Sequence, residues 1–158
     1  MKHASITRYW LGLACLLVLL TCSPALSQLD IPNIQGTWEI SVSGSEINWN
    51  GGKDAYKQNV TVYIYQTDYT PNTPNLTLVP ADEPTAVFQG IVQGTQFAAI
   101  KTKEDDDNLG YEMITGTITI KKTSMTIKGT NMGFDTNPDW GGTWLNKISG
   151  KRVSPSVP

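Results

Sequence analysis

From Gly36 onward the chain is a succession of short runs in which apolar and polar residues alternate, each bounded by Gly, Pro, Asn or Asp. Trp38, Ile40 and Val42 share one parity, as do Val60, Val62 and Ile64. The same holds for Ile114, Ile118 and Ile120, for Met125 and Ile127, and for Trp144 and Ile148. A period of two puts each set on one face of a strand, and the intervening Thr, Lys and Glu on a solvated face. No 3.6-residue apolar stripe argues for a helix. The pattern predicts eight strands at 36–43, 59–67, 76–79, 85–93, 95–102, 111–120, 125–132 and 142–149. Gln93-Gly94 and Lys121-Lys122-Thr123 leave room only for hairpin turns. Sequential antiparallel pairing follows, and eight such strands remove their edges by closing. The expected fold is all-β, an antiparallel up-and-down meander of about eight strands closed into a small barrel. The short third strand is where an open or sandwich-like arrangement would show itself.

Ahead of this pattern lies a different one. Lys2 and Arg8 precede the apolar run Trp10 to Leu20, and Ala25-Leu26-Ser27 places small residues at a cleavage position before Gln28. Residues 1–27 read as a signal peptide, residues 28–149 as the barrel domain and residues 150–158 as a disordered tail. The run is too short for a membrane span. Leu19-Leu20-Thr21-Cys22 also approximates a lipobox, which would anchor the chain through lipid on Cys22. The expected location is secreted or periplasmic.

Composition then narrows the chemistry. Residues 28–158 hold 12 Ile, 8 Val and 17 Thr against 5 Leu, which favours strands over a helical bundle. Their 14 Asp and Glu outnumber 10 Lys and Arg, which argues against a nucleic-acid partner. Cys15, Cys22 and His3 all fall in the leader. The processed chain then has no thiol nucleophile, no imidazole base, no disulfide and no Cys/His zinc site. Glycoside hydrolysis by paired carboxylates remains chemically open, but nothing in the pattern puts two of them in one buried place. No enzyme activity is expected. The segment from Asp135 to Asp139 alternates oxygen-bearing residues as calcium loops do, yet Trp140 stands at the glycine position. No metal and no cofactor are therefore expected.

The meander sorts the loops. The connections 44–58, 80–84, 103–110 and 133–141 gather at one mouth. They bring Trp49, Tyr56, Phe134 and Trp140 there, and these four are the candidate ligand-binding residues. The same mouth carries ten acids, including Glu46, Asp82, Glu83 and the run Glu104-Asp105-Asp106-Asp107. Aromatic rings among carboxylates suit a cationic or amine-bearing ligand, or a sugar stacked on Trp. Trp38 and Trp144 start strands that should be antiparallel neighbours, so they are expected near opposite ends. If each plugs its end, the interior is filled and a ligand binds shallowly at the rim.

Gly36-Thr37-Trp38 resembles the Gly-x-Trp signature that opens the first strand of lipocalins and related calycin-type barrels, and Gly142-Thr143-Trp144 repeats it. The layout is similar to that of small exported bacterial lipocalin-like domains. The resemblance implies an exported binding protein that takes a small ligand at the barrel mouth. Two features depart from it: the chain is shorter than most lipocalins and lacks their disulfide. Biotin binding is not implied, because Trp38 is followed by Glu39-Ile40-Ser41-Val42 rather than the avidin pattern. The alternative reading is a filled barrel, an inhibitor or envelope-associated module, that docks a cationic protein partner on its acidic rim.

Overall fold

In the computed structural model the described residues are 31–67, 75–105, 108–139 and 141–158, the side chains of 103–105 excepted. Residues 1–30, the expected signal peptide and Cys22 among them, and Trp140 lie outside them. Eight strands follow in chain order: β1 (Gly36–Asn48), β2 (Lys53–Thr67), β3 (Asn75–Pro80), β4 (Phe88–Gln93), β5 (Gln96–Asp105), β6 (Asn108–Lys121), β7 (Ser124–Asp135) and β8 (Gly142–Ser154). Each pairs antiparallel with the next, and β1 pairs with β8, so the meander is a closed barrel. The short β3 is paired along both edges, to β2 through Val62 to Thr67 and to β4 through Phe88 to Ile91, which excludes an opening there.

Every strand is at least as long as the hydrophobic pattern suggests, except β4. That strand begins at Phe88 rather than 85, after the Asp82–Ala86 turn. The expected 44–58 loop is mostly ladder, with Ser45 facing Ala55 and Ile47 facing Lys53. The segment expected as a disordered tail is strand as far as Ser154, because the opening residues of β1 need a partner: Trp38 faces Arg152 and Thr37 faces Ser154. Past the strand, the Thr37 hydroxyl donates to the Ser156 carbonyl at 2.7 Å.

The interior is sealed at one end. Trp38 is fully buried, and Ile34, Ile64, Leu76, Leu78, Val92, Ile118 and Ile127 pack the same core at 2 % exposure or less. The segment before β1 folds across this end. Ile34 accepts from Trp38 Nε1 at 3.0 Å through its carbonyl, and its amide donates to Gln66 Oε1 at 2.8 Å. The Arg152 guanidinium holds the flanking carbonyls of Asn33 and Gln35 at 3.1 and 3.2 Å. Gly36 is required at the bend into β1. Its φ of 144° is one that side-chain-bearing residues rarely adopt, and a Cβ there would meet the Ser154 carbonyl at 2.2 Å.

Candidate functional site

At the other end the barrel is hollow. A cavity of about 500 Å³ enters from the mouth, within the range that takes a small organic molecule. Alternation dictates its lining strand by strand, and β1, β2 and β6 run from polar at the mouth to apolar below. From the mouth inward, β1 presents Glu46, then Gly44, Val42 and Ile40, and β2 presents Tyr56, Gln58, Val60 and Val62. On β6, Glu112 precedes Ile114; on β8, Trp144 and Asn146 precede Ile148. The β3–β4 turn adds Asp82, Glu83 and the buried Ala86 to the rim.

A chain of polar side chains crosses the wall. Lys101 on β5 faces Glu112 on β6, and its Nζ lies 3.0 Å from Glu112 Oε2. The same ammonium sits 5.2 Å from the centre of the Phe88 ring. Asn131 on β7 donates through Nδ2 to Glu112 Oε1 at 2.5 Å. Asn146 on β8 donates in turn to Asn131 Oδ1 at 3.4 Å. Both asparagines are buried, Asn131 at 7 % and Asn146 at 5 % exposure. The order of donors is forced: an ionised Glu112 only accepts, so Asn131 turns its NH₂ toward it and its oxygen toward Asn146. Asn146 is left with a buried Oδ1 that has no partner. Gly44 faces Asn146 across β1, and a Cβ there would lie 2.3 Å from that oxygen, so the missing side chain leaves it room.

Across Gly44 from Asn146 stands Tyr56. Its hydroxyl donates to Gln58 Oε1, and Gln58 Nε2 lies 3.5 Å from Asp82 Oδ2. Burial, reinforced by the negative charge of Glu112, Asp82 and Glu46, holds the Tyr56 phenol above the usual tyrosine value. The mouth is therefore electronegative. Among the described residues lining the cavity, Lys101 is the sole cation against Glu46, Asp82, Glu83 and Glu112.

Of the four candidate binding residues, the structure brings Tyr56 into the cavity wall. Trp49 is not part of that wall. It sits half-exposed in the β1–β2 turn, with its Nε1 on the Asp135 carbonyl at 2.8 Å. Phe134 points outward, since Gly133 and Asp135 take the inward parity on either side, and it stacks on Tyr111 with ring centres 6.3 Å apart. Trp140 and the acidic side chains of Glu104 to Asp107 lie outside the described residues. The asparagine pair escaped the sequence reading because Asn at an inward position looks like a strand end. Parity with Ile127 and Ile148 was the signal that places both inside.

Trp38 and Trp144 are at opposite ends, as expected, and both face inward. Only Trp38 plugs. The Trp144 ring instead lies against Gly133, where a Cβ would be 2.4 Å from its Cζ2, and so leaves the lumen open. Both tryptophans point inward, yet only one end is plugged, so the condition for a filled interior is not met.

In the 135–139 segment, Asp135 Oδ1 accepts from the Asn137 amide at 2.8 Å and Asn137 Oδ1 from the Asp139 amide at 2.9 Å. These oxygens close successive Asx turns, which satisfy the loop's own backbone. Among the described residues, no group of three His, Cys, Asp or Glu side chains could hold a metal ion. No helix of the described residues is long and apolar enough to cross a membrane. Compared with protein families, curated proteins and solved structures, this chain matches none.

Proposed function

We propose that the protein is an exported, lipocalin-like, non-catalytic binding protein that takes a small amphipathic ligand into the upper half of its barrel. The observation that carries this reading is the two-zone cavity of about 500 Å³, apolar at depth and polar at the mouth. A ligand with an apolar body gains by burying it against Ile40, Val60, Val62 and Phe88, at roughly 25 cal/mol per Å² removed from water. Its polar end meets the rim. The Gly36-Thr37-Trp38 start and the closed meander support the lipocalin-like assignment, and the leader pattern supports export.

The test is an equilibrium titration with N-phenyl-1-naphthylamine, a neutral apolar fluorophore. Saturable binding at one site, with a rise in the unfolding temperature, is expected. A response that grows linearly without saturation would refute a defined cavity site.

A further inference from the structure

The polar zone of the cavity is asymmetric in a way that selects among amphipathic ligands. Its hydrogen-bond chain starts at a fixed donor, Lys101, and ends at a fixed acceptor, Asn146 Oδ1. That oxygen is buried, lacks a partner and occupies, in the cavity wall, the room that the missing side chain of Gly44 leaves. An unmet buried acceptor is costly, and a ligand N–H or O–H would recover that loss. The surroundings decide which. Glu46 stands one inward position nearer the mouth than Gly44 and faces Trp144. The charges of Glu112, Asp82 and Glu46 all act on the Tyr56 hydroxyl, on the other side of Gly44. Lys101 is engaged with Glu112 and does not offset the other carboxylates.

Resting on the cavity reading above, we propose that the ligand is a protonated primary or secondary amine carried on an apolar body. Its N–H donates to Asn146 Oδ1, its charge rests among Glu46, Asp82 and Glu112, and its body lies below against the apolar wall. A carboxylate ligand would meet like charge at the same place. A quaternary ammonium would satisfy the field but leave Asn146 Oδ1 without a donor.

The test is calorimetric titration of the full-length processed protein at neutral pH with decylamine, decanol, decanoate and decyltrimethylammonium, each below its micellar concentration. Decylamine should bind about tenfold or more tightly than the other three. Asn146→Leu should remove the preference for decylamine over decyltrimethylammonium by weakening decylamine, and decanol with it, while decyltrimethylammonium affinity is kept. Asp82→Asn, at an exposed turn, should narrow the gap between decylamine and decanol. If decanol binds as well as decylamine, the amine assignment is overturned and the cavity reading stands. Equal binding of decyltrimethylammonium and decylamine would overturn the role of Asn146. If none of the four binds, the cavity reading itself fails.

Discussion

Lys101 and Glu112 face each other on neighbouring strands inside the mouth of the barrel, 3.0 Å apart, and are the point from which the asparagine chain is oriented. Their side chains are 26 % and 19 % exposed, so the pair is partly shielded from water. Lys101→Met leaves the carboxylate without its cation in that setting. The expected loss is about 1–2 kcal/mol, between the values for surface and buried pairs. A double-mutant cycle with Glu112→Gln, followed by urea denaturation, should show a favourable coupling. Strict additivity would mean that the pair does not act as one.

The sealed end depends on Trp38. Trp38→Ala removes the largest fully buried side chain and the bond to the Ile34 carbonyl. It is expected to cost about 3–5 kcal/mol. Trp38→Phe keeps most of the volume and should cost about 1–2 kcal/mol, the share of the lost hydrogen bond and the smaller ring. Thermal unfolding distinguishes them, and equal effects would contradict the bond to Ile34 as a contributor.

Gly129 faces Gly116 across the β6–β7 pair. A Cβ on Gly129 would lie 1.9 Å from the Thr115 carbonyl oxygen, an obstacle of backbone rather than of a flexible side chain. Gly129→Ala must therefore shift β6 against β7 and should destabilise by about 1–3 kcal/mol. Its unfolding midpoint in urea, set against wild type, is the check, and an unchanged midpoint would show that the strands separate freely here.

The raised phenol of Tyr56 has a signature at alkaline pH. Below the unfolded value of about 10 the proton is held in both states and stability is undiminished. Above it the unfolded chain releases the proton first, so stability falls until pH passes the higher folded value. Wild type should lose more stability than Tyr56→Phe between about pH 9.5 and 11. Absorbance titration should show one phenol in the native protein deprotonating late, absent from the variant. Superimposable alkaline stability curves would contradict the electronegative mouth.

Alternation in the sequence fixes the inward parity of Trp38, Val62, Ile118, Ile127 and Ile148, and all are buried. The same parity, extended two residues at a time, puts Asn131 and Asn146 inside and Phe134 outside. Phe134 falls past the expected end of its strand at 132, in the 133–141 connection, where parity has no say; β7 in fact continues to Asp135 and turns the ring outward. Strand ends were less legible, because Gly44, Tyr56 and Lys151 carry no pattern of their own and are held by their cross-strand partners. Whether the lumen is open was not written in the pattern either. It depends on Trp144 lying flat on Gly133, a contact between residues eleven apart that only the register of β7 and β8 reveals.

The central claim is that ligand enters the upper half of the barrel, and two tryptophan substitutions test it most directly. Val42 lines the cavity, whereas Ile100 is 44 % exposed on the outer face, opposite in parity to the inward Lys101. Both variants introduce the same indole, one inside and one outside. Titration with N-phenyl-1-naphthylamine should show binding abolished in Val42→Trp and unchanged in Ile100→Trp, with both folded by circular dichroism. Equal binding to the two would place the ligand outside the barrel and contradict the account.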